Sequence, residues 1–248
     1  MASYLTLQLE TVVSDLPPVA IKTGMLASTE VIQAVVQSLK SLYPDSQKRP
    51  HLVIDPVMIS TSGHTLLPDS AVESLISDLL PLSSLITPNI PEAKLLYGRQ
   101  VGQEVEIENL QSMVTTATSL LQAGNGGAVL LKGGHLPVSR LEIQQYLDLP
   151  TQEEKTAFFA EGDESEEGIE VLMGYRALVA GRSAVDAIKH DDDGGRSSEA
   201  KWVVDVLAER GSVTLFVGEK VESSSTHGTG CTLSAALACQ LAKGLPCE

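Results

Sequence analysis

Short apolar runs alternate along the chain with longer segments in which apolar residues recur every three or four positions. The short runs predict buried strands at 19–21, 52–54, 84–86, 128–131, 202–207 and 212–217. The longer segments predict amphipathic helices at 4–14, 28–42, 69–80, 91–97, 107–123 and 228–243. Pro17 and Pro18 end the first helix, and Ser28 caps the second.

This alternation predicts an α/β fold with a mostly parallel central sheet that helices cover on both faces. In such sheets, ligands bind beyond the carboxyl ends of the strands. Polar residues follow three of the predicted strands at that end, namely Asp55, Asn89 and Lys132. We therefore expect these side chains to converge on one edge of the sheet.

The segment from Thr226 to Cys231 carries the strongest local signal. Its sequence, THGTGC, places two glycines immediately before an apolar helix. Glycines free the backbone there, so N–H groups and the positive end of the helix dipole can form an anion pocket. The same field favours the thiolate of Cys231 as a nucleophile or base. The alternative is an ordinary helix start with flexible glycines and a small buried cysteine.

Length and composition limit the classes of function. The 248 residues suffice for one large or two small domains with a sizeable core. A net charge of −15 argues against a nucleic-acid partner. No apolar stretch approaches the roughly 20 residues that cross a bilayer, so no membrane partner is expected. A start without a secretory signal, and three cysteines without metal-ligand spacing, favour the cytosol.

An acidic segment interrupts the alternating pattern at 138–200. Residues 151–200 alone hold 13 acidic side chains against five basic ones. Such a composition buries too little apolar surface to repay the cost of ordering, so a solvated, disordered insertion is predicted. The chain as a whole, 1–248, is expected to form a single domain around it.

The residues at the predicted sheet edge suit phosphoryl transfer, in which positioning and charge neutralisation do most of the catalysis. Lys132 supplies a cation for a phosphate, and Asn89 and Glu92 offer oxygens that could orient waters around Mg²⁺. Each residue also has a purely structural interpretation. These are a turn former for Asp55, a helix cap for Asn89 with Glu92, a solvated cation for Lys132 and a hydrogen-bonding loop residue for His227.

Five motifs occur in the order found in the hydroxymethylpyrimidine (phosphate) kinases of thiamine biosynthesis, which belong to the ribokinase-like superfamily. They are IKTGML at 21–26, VIDPVM at 53–58, ITPNIPE at 86–92, LLKGGH at 130–135 and THGTGC at 226–231. The chain closely resembles this family over residues 1–136 and 201–245. The resemblance implies a ribokinase-like three-layer α/β/α fold.

It also implies MgATP-dependent phosphorylation of 4-amino-5-hydroxymethyl-2-methylpyrimidine, then of its monophosphate, with ATP and Mg²⁺ as the cofactors. The implied catalytic residues are Gly228, Thr229 and Gly230 as an anion hole, with Cys231 as the general base. The implied nucleotide- and phosphate-binding residues are Lys132, Asn89, Thr226 and His227. The implied pyrimidine-binding residues are Met25, Asp55 and Val57, and the implied metal ligands are Glu92 and Asn89.

The chain also departs from the family pattern. The family's N-terminal strand, glycine-rich segment and helix have no counterpart before residue 21, and its closing elements have none after the last helix, so we expect an incomplete kinase domain. Two alternatives therefore stay open: a pyridoxal-type kinase and an inactive, truncated pseudoenzyme. The oligomeric state also stays open, with a homodimer among the options.

Overall fold

A computed structural model describes residues 2–59, 64–124, 126–134, 136–147, 168–173, 202–220 and 228–244. The chain divides into two compact units. The first comprises Met1–Glu92, Gly124–Gly127 and Thr226–Glu248, and the second comprises Ala93–Ala123 and Ala128–Ser225. The expectation of a single domain over 1–248 stays a prediction.

The first unit is built on three parallel strands, with β2 between its two neighbours. They are β1 (Ala20–Thr23), β2 (His51–Ile54) and β3 (Leu85–Ile86). Its helices are α1 (Ala2–Asp15), α2 (Thr29–Leu42), α3 (Asp69–Ser74) and α7 (Thr229–Ala242). Helix α7 packs on β1 and β2, while α2 packs against α1 and α3.

The core of this unit follows from its apolar pattern. Leu52, Val53 and Ile54 of β2 are all buried, as expected for a strand covered on both faces. Helix α2 begins at the predicted cap, because the Ser28 hydroxyl oxygen accepts a hydrogen bond from Val31 N at 3.4 Å. By contrast, α1 has no fully buried side chain.

The second unit is mostly antiparallel. Its strands are β4 (Ala128–Leu131), β5 (Gly168–Met173), β6 (Trp202–Glu209) and β7 (Ser212–Glu219). Strand β6 pairs antiparallel with β4 and β7, and β5 joins β7 in parallel. A tight turn at Gly211 (φ 82°) connects β6 to β7. Helix α5 (Leu110–Gln122) packs on β4 and β6, and α6 (Arg140–Leu147) packs against β5.

The unit boundary lies within helix α4 (Ile90–Val101), and most predicted elements are confirmed to within a few residues. The helix predicted from 107 begins later, because Asn109 and Ser112 cap each other reciprocally. The helix predicted over 69–80 is regular only to Ser74 and then becomes a π turn (Leu75–Leu79) and a 3-10 turn (Leu80–Leu82).

One α-helix and one β-strand that the structure describes were not predicted. Helix α6 and strand β5 both lie inside the acidic segment 138–200. Residues 148–167 and 174–200 of that segment lie outside the described residues, so their predicted disorder stays a prediction. None of the helices that the structure describes is long and apolar enough to cross a membrane.

Candidate active site

Asp55 is the centre of a buried polar cluster in the first unit. It follows β2 directly and is only 2% exposed. Its Oδ1 accepts a hydrogen bond from the Thr87 hydroxyl at 3.4 Å, and its Oδ2 accepts one from the Ser234 hydroxyl at 3.2 Å. The Lys22 ammonium lies 3.7 Å from Oδ2. A buried carboxylate with a cation and two hydroxyls around it is compensated for its loss of water.

The parallel register explains why these residues meet. Lys22 lies near the end of β1, and the Asp55 N–H donates to Thr23 O at 3.1 Å. Thr87 follows β3, and its N–H donates to Ile54 O at 3.0 Å. The carboxyl ends of three neighbouring strands thus come together around Asp55. The expected convergence of Asp55 with Asn89 and Lys132 stays a prediction.

Helix α7 begins as the glycine pattern predicts. Its N-cap is Gly228, which adopts the left-handed conformation with φ 81°. A glycine supplies no side chain to cap the first turn, and that turn is exposed from Gly228 through Thr229. Such a turn presents main-chain N–H groups and the positive end of the helix dipole. Thr226 and His227 lie outside the described residues.

Cys231 occupies the first turn of α7 and is exposed. The alternative interpretation of a small buried cysteine is therefore wrong. An exposed thiol at a helix N-terminus is placed where a negative charge is stabilised. Its predicted role as a general base stays a prediction.

Asn89 and Glu92 form a reciprocal cap at the start of α4. The Glu92 N–H donates to Asn89 Oδ1 at 2.9 Å, and the Asn89 N–H donates to Glu92 Oε2 at 2.8 Å. The structural interpretation of this pair is therefore confirmed. Both side chains also present hard oxygen atoms, the donors that Mg²⁺ prefers, and Glu92 is a buried carboxylate in the first turn of α4. The pair therefore fits a magnesium ion by donor chemistry.

The described part of the chain holds no group of three or more His, Cys, Asp or Glu side chains that could chelate a metal by themselves. Mg²⁺ usually keeps several waters and one or two carboxylates, with phosphate oxygens completing its shell. One buried carboxylate with a neighbouring amide therefore suits a phosphate-bound Mg²⁺ rather than a dedicated protein cage.

Met25 and Val57, both predicted to bind the pyrimidine, lie in loops just after β1 and β2. Met25 is 49% exposed. Val57 is half-buried, and its N–H donates to Asp55 O at 2.8 Å. Their contact with a substrate stays a prediction.

Lys132 lies in the second unit, immediately after β4, in a segment held against β6. The Gly133 N–H donates to Asp205 Oδ1 at 2.7 Å. A Cβ on Gly133 would stand 1.9 Å from Val204 O, so only glycine allows this approach. Burial raises the pKa of Asp205, while the Gly133 N–H, the Lys132 charge and the Gly134 N–H act against that rise.

The raised pKa of Asp205 predicts a pH-dependent contribution to stability. A carboxyl whose pKa lies above 3.8 in the folded protein stabilises the fold when protonated, and this contribution is lost as pH rises through the folded pKa. Asp205→Asn cannot titrate. We therefore expect the unfolding free energy of the native chain, relative to this variant, to increase as pH falls from neutral toward 3.8. Urea unfolding across that range measures the difference, and a pH-independent difference would contradict the expectation.

Four polar residues of these clusters were not among the predicted site residues: Lys22, Thr87, Asp205 and Ser234. Lys22 could have been suspected, since it directly follows the apolar run predicted as a strand at 19–21. Ser234 lies three residues after Cys231, which is the spacing of one helix face. Asp205 carries a weaker signal, a single acid within the apolar run of β6.

Comparisons with known proteins identify the family of this chain. The family model described as phosphomethylpyrimidine kinase matches residues 1–165 and 191–248. A hydroxymethylpyrimidine/phosphomethylpyrimidine kinase of Rhizobium meliloti (strain 1021) is 34% identical over 246 residues, 99% of this chain and 64% of that protein. Its counterpart in Staphylococcus aureus (strain MRSA252) is 28% identical, over 96% of this chain and 60% of that protein. The chain thus spans less than two thirds of either relative.

Two solved structures share the fold. A phosphomethylpyrimidine kinase from Clostridium difficile 630 matches with a TM-score of 0.60 and 30% identity, over 99% of this chain and 70% of that one. A Bacillus subtilis pyridoxal kinase, solved as an ADP complex, also reaches 0.60, at 23% identity over 97% of this chain and 62% of that one. These likenesses confirm the predicted three-layer, ribokinase-like α/β fold class. With the family model matching most of its length, the chain belongs to the phosphomethylpyrimidine kinase family.

Proposed function

We propose that this chain phosphorylates 4-amino-5-hydroxymethyl-2-methylpyrimidine, and then its monophosphate, with ATP as the phosphoryl donor. The observation that carries the proposal is the start of α7. There a left-handed glycine leaves an exposed first turn that bears Cys231, beside a strand edge with a buried polar cluster. Membership of the family supplies the substrate class.

In this proposal the substrate hydroxymethyl oxygen attacks the γ-phosphorus of ATP. The bond from that phosphorus to the β-γ bridging oxygen breaks, ADP leaves, and Cys231 as thiolate takes the hydroxyl proton. The main-chain N–H groups at Gly228, Thr229 and Gly230 would stabilise the charge on the transferring phosphoryl group. Thr226 and His227, which precede this turn, are proposed to contact the nucleotide.

The remaining predicted residues take supporting roles. Lys132 would place its charge on a phosphate of the nucleotide, with Gly133 keeping the chain close. Asn89 and Glu92 would hold Mg²⁺, which when bound neutralises phosphate charge. Met25 and Val57 would line the pyrimidine pocket. Asp55, which is fixed by its buried contacts, would form part of the same pocket. We also propose a cytosolic location, and the homodimer stays a prediction.

A pyridoxal-type kinase is the second candidate, because a pyridoxal kinase has the same fold. Cys231 favours the pyrimidine, since the vitamin B6 kinases that this superfamily contains often have aspartate at the matching position. An inactive pseudoenzyme is the third. The exposed thiol of Cys231, a side chain that the proposed proton transfer needs, argues against it.

One assay separates the three candidates. Purified protein with MgATP is expected to form ADP faster with the hydroxymethylpyrimidine than with pyridoxal, as measured by a coupled ADP assay. Equal rates with both compounds would contradict the substrate assignment. ADP formation no faster than without any acceptor, from protein that melts cooperatively, would favour the pseudoenzyme.

A further inference from the structure

Ser234 joins two parts of the site that are far apart in sequence. It lies on α7, is 0% exposed, and its hydroxyl is 3.2 Å from Asp55 Oδ2 and 3.0 Å from Cys231 O. The first contact crosses 179 residues and the second closes one helical turn. A single hydroxyl thus lies between the buried carboxylate and the main chain of the predicted base.

The hydroxyl has one proton and two acceptors. The charged carboxylate is the stronger acceptor, so the bond to Asp55 is the dominant one. Asp55 is itself fixed by the Lys22 ammonium and the Thr87 hydroxyl on neighbouring strand ends. These contacts form a tether between α7 and the sheet. It runs from the ends of the strands, through Asp55 and Ser234, to the first turn of α7.

This tether acts at the N-terminal end of α7. The helix begins at a glycine without a side-chain cap, and an uncapped first turn frays more easily. Ser234 is the polar residue of α7 that is fully buried, and it faces Asp55 from the turn that follows Cys231. Fraying of the first turn would change the orientation of both the thiol and the N–H groups.

We propose that Ser234 is a positioning residue. It holds the first turn of α7, and with it Cys231, at a fixed position relative to Asp55 at the end of β2. The consequence for turnover rests on the proposed kinase function. The consequence for the thiol does not, because the environment of Cys231 can be measured without any substrate. Ser234 itself touches no reacting atom in this proposal.

The test compares Ser234→Ala with Ser74→Ala. Ser74 is also buried, lies on α3 of the same unit, and also donates to a carboxylate, Asp78 Oδ2, at 2.9 Å. Both variants lose a hydrogen bond from a buried hydroxyl to a carboxylate and should lower the melting temperature, Ser234→Ala by more because Asp55 is the more buried carboxylate. Only Ser234→Ala should lower kcat, by about 10- to 100-fold, with KM for ATP and for the pyrimidine nearly unchanged, since the loss is one of orientation.

A second readout needs no turnover. With Cys239 and Cys247 replaced by serine, Cys231 is the sole cysteine, and its iodoacetamide alkylation rate reports its surroundings. Ser234→Ala is expected to slow alkylation about threefold or more, as the thiol leaves the field of the helix terminus, whereas Ser74→Ala should not. If Ser234→Ala fails to fold, Asp55→Asn weakens the same tether from its other end and should slow alkylation likewise.

The outcomes are distinct. Unchanged alkylation and unchanged kcat in a folded Ser234→Ala protein, with only the melting temperature lowered as in Ser74→Ala, would overturn the proposal. Slower alkylation in a chain whose native form makes no ADP would support the positioning role and reject the kinase function. Slower alkylation together with lower kcat would support both.

Discussion

Replacing Cys231 by alanine is expected to lower kcat by about 10²- to 10⁴-fold, the range that a positioned general base contributes. The reason is the position of the thiol, exposed on the first turn of α7, where the helix dipole stabilises its charged form. Alanine keeps the helix, because it is the best helix former and the side chain is at the surface. The melting temperature should therefore stay close to that of the native chain.

Steady-state ADP formation with the pyrimidine measures this effect. Cys239 supplies the matched control, because it is also exposed and lies two turns further along α7. Cys239→Ser should leave kcat within about twofold, as expected for a surface substitution away from the reacting atoms. A Cys231→Ala enzyme that also stays within that range would show that another group takes the proton.

Replacing Gly133 by alanine is expected to destabilise the fold by about 3 kcal/mol or more, because it forces a methyl group into packed main chain. The added Cβ would lie 1.9 Å from Val204 O and 3.0 Å from the Met113 methyl. A strand carbonyl cannot rotate aside as a side chain can. Relief would require β6 to move away from residue 133, which would also stretch the 2.7 Å bond from Gly133 N to Asp205.

Urea unfolding followed by circular dichroism measures this loss, and Gly98→Ala is the matched control. Gly98 lies within α4, where an added Cβ meets Gln103 O at an ordinary 3.8 Å. That substitution should stabilise the protein by roughly 0.5–1 kcal/mol through helix propensity. Equal unfolding free energies for the native chain and Gly133→Ala would show that the residue is not held against β6.

The regular elements of the first unit could be predicted because local signals and packing agree there. Three local signals each predict an element or its end to within a few residues. They are the apolar run of β2, the Ser28 cap of α2 and the prolines after α1. Convergence of Asp55 and Thr87 also follows from sequence, because parallel strands end at the same edge. Contacts that depend on how a helix packs on these strands cannot be predicted from the sequence. The Ser234 bond to Asp55 depends on how α7 docks on β1 and β2, which periodicity does not specify.

Helix α6 and strand β5 of the second unit were not predicted, for reasons that lie in the local sequence. Helix α6 begins with a capping pair, in which the Glu142 N–H donates to Ser139 Oγ at 3.3 Å and Glu142 Oε2 accepts from Ser139 N at 2.9 Å. That Ser-x-x-Glu pattern is readable in the sequence, but the acidic composition that follows concealed it. Strand β5 is a short apolar run inside the same acidic segment. It is recognisable as a strand by its parallel pairing with β7, and the pattern of apolar and polar residues within 168–173 does not indicate it.

The left-handed backbone at Gly228 affects how related chains can be compared. A residue with a Cβ pays about 1 kcal/mol or more at φ 81°, so folding alone favours glycine at that position. A descendant that had lost all catalysis would keep the glycine for that reason as long as α7 remained. A glycine at this position therefore indicates that a related chain shares the fold, and it says little about whether that chain is still active. Position 231 is under no such backbone constraint, so its identity is the better marker of retained chemistry.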